Sequence, residues 1–282
     1  MAERHIIPTL GCLKLKNLTP AHVRGLYRER LDSGLSPRTV QYVHTTLNKA
    51  LKQAVADGLI PRNAAASVKA PRPRSTEMMS LHREQVRALF DAASDHRLGA
   101  LYIVAVTAGL RKGELLALRW KDVDLEAATP TLHVRRTLSE ARSGRIFEAP
   151  KSGKGRQIRL TRKAAEALKS HRIRQNAERL AAGTHWQDHG LVFPSSVGTP
   201  MGARNLSRHF KSLLRGAGLP LSFRFHDLRH TCATLLLRQG VHVKYVQEIL
   251  GHADISLTLN VYSHVLPDMG GAAAGAMDAV LG

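Results

Sequence analysis

The sequence predicts a mainly α-helical chain with one small antiparallel β-sheet, arranged as a helical N-terminal domain followed by a larger α+β domain. Three observations predict it. Apolar residues recur at helical spacing through the first fifth of the chain and again in its second half. A single stretch, residues 131–160, carries the two-residue alternation and turn residues of strands. Between the two parts lies a segment with Pro71 and Pro73, which together exclude a continuous helix.

Residues 1–66 read as helical. Thr19 followed by Pro20 is an N-cap with proline at the first helical position, and the pattern runs to about Leu31 before Gly34. Ser36 and Pro37 repeat the device; behind them Val40, Val43, Leu47, Leu51 and Val55 fall on one helical face, and Gly58 ends the run. The opposite face carries Arg38, Lys49 and Lys52. Residues 67–79 form a basic linker, in which Arg72 and Arg74 suit a strap along a phosphate backbone.

The second domain starts at Ser80. Leu81, Val86, Leu89, Phe90 and Ala93 mark a helix, Leu101 to Ala108 a buried helix stopped by Gly109, and Glu114 to Arg119 a short one leading to Trp120. Residues 131–138 read as a strand, Ser143-Gly144 as a turn, residues 145–149 as the return strand and Gln157 to Leu160 as a third. Helices follow at about 161–180, 203–216, 226–238, 242–250 and 255–264, and residues 269–282 form a tail in which Ala272 to Leu281 is weakly helical.

Composition narrows the function. Lys and Arg number 42 against 22 Asp and Glu, a formal charge of +20, which points to a polyanion. Aromatic residues make up 5 %, so phosphate contacts outweigh base stacking as the expected mode. No run of eighteen apolar residues and no signal-peptide core occurs, and Cys12 and Cys232 are the two cysteines, so the expectation is a cytoplasmic protein without a disulfide framework or membrane partner.

Six positions carry chemistry. His226 and Arg229 are three apart on a predicted helix whose other face, with Leu228, Cys232, Leu235 and Leu236, docks on the core. His252 stands just past a helix C-terminus at Gly251, where the dipole favours an imidazolium. Tyr262 lies on or near the last helix, with Leu257 and Val261 expected to anchor it. Arg111 follows a Gly-Leu break, with Glu114 as its intramolecular partner. Each alone reads as an ordinary surface, capping or core residue. Together they supply what metal-free phosphodiester cleavage requires: a tyrosine nucleophile, guanidiniums on the non-bridging oxygens and imidazoles for proton and charge transfer.

The runs Thr107-Ala-Gly-Leu-Arg-Lys-Gly-Glu-Leu-Leu-Ala-Leu-Arg-Trp120, His226-Asp-Leu-Arg-His-Thr231 and Leu250-Gly-His-Ala-Asp-Ile-Ser-Leu-Thr-Leu-Asn-Val-Tyr262 resemble, in this order, the motifs of the tyrosine recombinases, the phage-integrase family. The resemblance covers about residues 80–268, a tyrosine-recombinase catalytic domain. Residues 1–66 are similar to part of that family's helical, SAM-like core-binding domain. It implies a site-specific recombinase that integrates or excises a mobile element. Tyr262 would form a 3′-phosphotyrosine and release a 5′-hydroxyl. Arg111 and Arg229 would hold the scissile phosphate, His252 would stabilise the transition state and His226 would act as general base. A lysine from the turn between two strands would be the general acid; Lys151 in Pro150-Lys-Ser-Gly-Lys-Gly-Arg156 fits, with Lys154 as the alternative, and Arg156 joins the expected DNA contacts. No metal or cofactor is implied. The partners implied are double-stranded DNA attachment sites and a homotetramer assembled on them from solution monomers, with a directionality factor or host DNA-bending protein as accessory. The opening Arg4 to Gly11 resembles the middle of a core-binding domain, so the expectation is a chain shortened at its N-terminus.

Three other readings compete. A truncated relic that only binds DNA explains the charge but not the gathering of Tyr262 with arginines and histidines. Type IB topoisomerases share the chemistry, but the Leu-Gly-His segment and the 226–231 motif point away from them. A metal enzyme rests on His226 and His230 at i, i+4, with Asp227 where His-Glu-x-x-His has glutamate and Cys232 as the required third ligand.

Overall fold

A computed structural model describes residues 1–73, 78–141, 144–150, 153, 155–262 and 277–281. The chain forms two compact units, Met1–Glu77 and Met78–Gly282.

The first unit contains α1 (Ala2–His5), α2 (Ile7–Leu10), α3 (Pro20–Asp32) and α4 (Pro37–Ala56). Both long helices start as their sequences predict. The Thr19 hydroxyl accepts from the His22 amide at 3.4 Å, and the Ser36 hydroxyl accepts from the Thr39 amide at 3.2 Å. Val23, Leu26 and Tyr27 of α3 pack with Val40, Val43, Leu47 and Leu51 of α4 in one core. Helix ends at Ala56, so residues 57–66 depart from the helical reading: Gly58 takes a positive φ of 71°, and the turns beyond it close the core through Ile60, Ala64 and Ala65. Arg38, Lys49, Lys52 and, further on, Arg72 are exposed. Arg74 lies outside the described residues.

The second unit opens with α5 (Arg83–Ala92), α6 (Gly99–Ala108) and α7 (Lys112–Leu116). Helix α6 is apolar on all sides and accordingly central, packed between α8 (Arg162–Ala182) and α10 (Asp227–Arg238). Helix α7 begins two residues earlier than Glu114 and ends at Leu116, because Arg111 caps it. Helices α9 (Ala203–Gly216), α11 (Val243–Leu250) and α12 (Ile255–Tyr262) follow, and residues 277–281 are again helical. Phe210, Phe223, Phe225 and Tyr102 form an aromatic cluster in the core between them.

The strands correct the expectation of one sheet. β1 (Val123–Asp124), β2 (Thr131–Val134) and β5 (Arg156–Arg159) form a three-stranded antiparallel sheet in the order β1-β2-β5, with Leu132 opposite Ile158 and both buried. β3 (Thr137–Ala141) and β4 (Gly144–Glu148) pair only with each other. The predicted strand 131–138 is therefore two strands in two sheets. The break falls at Arg135 and Arg136, whose guanidiniums turn toward the buried Asp122 carboxylate at 3.5 and 3.6 Å. A pair of consecutive cations drawn to one side is incompatible with alternation along a single strand.

Among the described residues no helix is long and apolar enough to cross a membrane. Phe210→Ala is expected to empty the aromatic cluster and destabilise the second unit by about 3–5 kcal/mol, read as a lowered midpoint in urea unfolding followed by a probe in that unit.

Candidate active site

The site forms where three chain breaks meet: the end of α6, the start of α10 and the end of α11. Gly109 ends α6 with φ 61°, and a Cβ there would stand 2.8 Å from the Leu250 side chain and 3.3 Å from the Cys232 sulfur. Glycine thus lets α6, α10 and α11 come within van der Waals contact. The same tight junction turns the Gly109 and Leu250 carbonyls onto one guanidinium. Arg229 Nη1 donates to Gly109 at 2.8 Å, and Nη2 donates to Leu250 at 2.5 Å. Arg229 is 3 % exposed, and two backbone carbonyls rather than a carboxylate hold it. Burial, and then the nearby Arg111, lower its pKa to about 9, so it still carries its charge at neutral pH.

Glu114, on α7, organises the other cations. Its carboxylate accepts from the Arg111 amide at 2.9 Å and from Arg111 Nη1 at 2.8 Å. It also accepts both terminal nitrogens of Arg156, at 3.1 and 2.7 Å. Burial alone would raise the Glu114 pKa. The Arg156 fork, joined by Arg111, overcomes it and holds the carboxyl below its ordinary value. Both arginines also reach the end of α11: Arg111 Nη2 donates to Gly251 at 3.3 Å and Arg156 Nε to Ile249 at 2.7 Å. Arg156 was expected among the DNA contacts. In the structure its guanidinium is occupied by Glu114 and Ile249, with 10 % of the side chain exposed. Its visible role is to bind β5 to α7 and α11.

His252 follows Gly251, whose φ of 64° ends α11, and its Nδ1 lies 2.8 Å from the Thr258 hydroxyl. The expected imidazolium is disfavoured where His252 stands. Burial first, and then Arg229 and Arg111, lower the His252 pKa to about 4, outweighing the helix dipole. His226 is the N-cap of α10 and is exposed; its pKa is lowered by partial burial and by Arg229. Tyr262, at the end of α12, is 2 % exposed and packs with Ala233, Leu237, Val246 and Leu250. Of the two expected anchors, Leu257 is 51 % exposed and the Val261 side chain lies outside the described residues; Thr258, four residues before the tyrosine, is buried. Burial raises the Tyr262 pKa, against the opposing field of Arg229. The Tyr262 oxygen lies 2.7 Å from His230 Nδ1, a contact that sequence reasoning missed. His230 drew notice in the sequence only as half of a zinc-like spacing.

The structure thus brings together Arg111, Arg229, His226, His252 and Tyr262, with Glu114, Arg156 and His230 behind them. Lys151 and Lys154 lie outside the described residues. The metal reading finds no support in the geometry. The rings of His226 and His230 meet edge to face at 5.0 Å. Cys232 is buried at the α6 junction with its thiol pushed up to about 12, and no group of three ligating residues gathers among the described residues. Three guanidiniums around one carboxylate leave an excess of positive charge, which is a site for an anion.

Comparison with known proteins identifies a family. The model of the phage integrase family matches residues 79–269. A tyrosine recombinase XerC-like protein of Caldanaerobacter subterraneus subsp. tengcongensis is 32 % identical over 274 residues, 90 % of this chain and 69 % of that protein. An integrase of Streptomyces ambofaciens is 33 % identical over 93 % of this chain and 69 % of its own length. Among solved structures, the integrase of transposon Tn1549 in complex with transposon right end DNA superposes with a TM-score of 0.79 at 21 % identity, over 97 % of this chain and 89 % of that one. A lambda integrase dimer bound to a core site gives 0.64 at 21 % identity, over 90 % of this chain and 85 % of that one. At such identity these structures speak for the fold.

Glu114→Gln tests the network through its pH dependence. The folded pKa of Glu114 lies below the ordinary 4.5, so the carboxylate contributes stability fully above that value and loses it as pH falls through the folded pKa. The variant is expected to be less stable than wild type near neutrality. In urea unfolding between about pH 3 and pH 7 the gap should narrow on acidification; a gap independent of pH would remove the ionised carboxylate from the account.

Proposed function

The chain belongs to the phage integrase family, and on that premise we propose how its residues perform the reaction. It is a tyrosine recombinase, an enzyme of site-specific DNA recombination. The scissile phosphate of an attachment site sits against Arg111, Arg229 and His252. The single observation that carries this reading is the buried Arg229 guanidinium, held by two backbone carbonyls without a carboxylate partner, beside the Arg111–Glu114–Arg156 cluster and a tyrosine. A phosphodiester supplies the negative charge this cluster lacks, and guanidinium geometry matches its non-bridging oxygens.

The Tyr262 oxygen attacks phosphorus, the bond to the 5′-oxygen breaks, and a 3′-phosphotyrosine remains on the enzyme. Arg111, Arg229 and His252 stabilise the charge that develops on the pentacoordinate phosphate. Burial, and then Arg229 and Arg111, bring the His252 pKa down to about 4; a bound phosphate anion offsets the cations and raises it, making His252 a better donor. Lys151 of the segment between β4 and β5, with Lys154 as the alternative, protonates the 5′-oxygen. The resemblance assigns His226 as the base for Tyr262. Attack by a 5′-hydroxyl of another strand reverses the chemistry and completes the exchange. The phosphotyrosine retains the energy of the broken bond, so the proposed reaction calls for neither ATP nor a metal.

The partner is double-stranded DNA, and exchange between two duplexes assembles four protomers from solution monomers. A directionality factor or host DNA-bending protein sets the outcome between integration and excision. Arg38, Lys49, Lys52 and Arg72, exposed in the first unit, contact the phosphate backbone, with Arg74 beside them in sequence. The family resemblance suggests that residues 266–282 pass to a neighbouring protomer; of these only 277–281 lie within the described residues.

Tyr262 supplies the nucleophile and is not among the cations that hold the phosphate, so binding and cleavage are separable. Tyr262→Phe is expected to abolish the covalent protein–DNA band on a nicked suicide duplex carrying the attachment site, while duplex affinity stays within about twofold of wild type. Loss of affinity instead would make Tyr262 a structural residue. A band retained by the variant would remove it as nucleophile.

A further inference from the structure

We propose that His230 is a catalytic residue, the group that takes the proton from Tyr262 as its oxygen attacks. The inference rests on the reading of Tyr262 as nucleophile and changes the residue that activates it.

Four observations carry it. First, the Tyr262 oxygen is the one polar atom of a side chain otherwise surrounded by Ala233, Leu237, Val246 and Leu250, and the atom 2.7 Å from it is His230 Nδ1. Second, the contact suits transfer in one direction. With its hydrogen on Nε2, neutral His230 offers Nδ1 a lone pair, and the phenol O–H donates to it. Third, burial raises the phenol pKa, so the nucleophile does not ionise unaided and requires an acceptor at its oxygen. Fourth, His230 follows Arg229 on α10, so the acceptor is fixed to the helix that also carries the buried guanidinium of the phosphate site. His226, the base that the resemblance implies, lies one helical turn earlier at the exposed N-cap, edge-on to the His230 ring at 5.0 Å.

The proton balance closes. The phenol proton passes to His230 Nδ1, giving an imidazolium. The Oη–P bond forms, the P–O5′ bond breaks, and the 5′-oxygen takes its proton from the lysine side of the site. In the return reaction the imidazolium gives the proton back to the phenolate leaving group.

The groups facing His230 are His226, Asp227, Arg224 and Arg229 from α10 and its lead-in, Tyr262 from α12, and His252 from beyond α11. Burial, followed by His226 and Arg229 and resisted by Asp227, lowers the His230 pKa to about 4. It is therefore neutral, and an acceptor, at neutral pH. A phosphate anion beside Arg229 moves that pKa up, toward the working range of a general base.

His230→Gln tests the assignment, because glutamine can hydrogen-bond the phenol but cannot take its proton. Single-turnover formation of the covalent adduct is measured from about pH 4.5 to pH 8 on a suicide duplex with a normal 5′-oxygen and on one with a bridging 5′-sulfur, whose leaving group needs no acid. Wild type, Tyr262→Phe and His226→Gln are run beside it, with duplex affinity and thermal unfolding as controls. The expected result is a rate lower by tenfold or more on both substrates, with loss of the limb that rises with pH and with affinity and unfolding unchanged. A rate restored by the sulfur substrate would move His230 to the leaving-group side and overturn the proposal. So would an intact acid limb in His230→Gln together with its loss in His226→Gln. An adduct that persists in Tyr262→Phe would instead sink the nucleophile reading, so the two failures are distinguishable.

Discussion

The site depends on one buried carboxylate. Glu114 has 1 % of its side chain exposed; it holds the Arg156 guanidinium in a two-point fork and Arg111 through one guanidinium nitrogen and its backbone amide. Isolated buried charges are strongly disfavoured, and a carboxylate shared by two arginines is the arrangement that makes these tolerable. It fixes more than charge. Arg111 belongs to the cap of α7, Arg156 to β5, and both donate to carbonyls at the end of α11. One acid thus ties a helix start, a strand and a helix end into a single frame, and His252 is the first residue beyond that frame.

Against this frame Arg229 is held differently. Two backbone carbonyls, one from Gly109 and one from Leu250, position its guanidinium without neutralising it. Carbonyls orient a cation while leaving it free to meet an anion, whereas a carboxylate partner would compete with the phosphate. The division of labour follows: Arg156 is consumed in structure, Arg111 is shared, and Arg229 keeps its charge for the substrate. Gly109 and Gly251, both with positive φ, are the backbone conditions for it; a Cβ on Gly251 would stand 2.8 Å from Arg156 Nη1. Burial first, and neighbouring charged groups after it, bring the His252 and His230 pKa values to about 4. An anion bound beside Arg229 would raise both.

Much of this was legible in the residues, for reasons that differ by element. The caps at Thr19 and Ser36, the stop at Gly109 and the buried α6 rest on local chemistry, which sequence records directly. The motif order placed Arg111, His226, Arg229, His252 and Tyr262 in one neighbourhood, as found. What was not legible depends on tertiary geometry. The split of 131–138 into two sheets follows from Asp122, more than a dozen residues from Arg136 in sequence, reaching both arginines. Arg156 looked like a surface cation because its carboxylate lies 42 residues away. Leu257 looked like an anchor because helical spacing cannot tell which side of a short helix faces the core. His230 was passed over because its partner, Tyr262, is 32 positions distant.

The central claim is that this cation frame presents a DNA phosphate to Tyr262. The most direct measurement is the covalent adduct itself: trap the wild-type chain on a nicked duplex of its attachment site, digest protein and DNA, and locate the modified residue by tandem mass spectrometry. The account predicts a nucleotide joined through its 3′-phosphate to Tyr262. The same nucleotide on any other residue, or its absence from a chain shown to occupy that duplex, would contradict it.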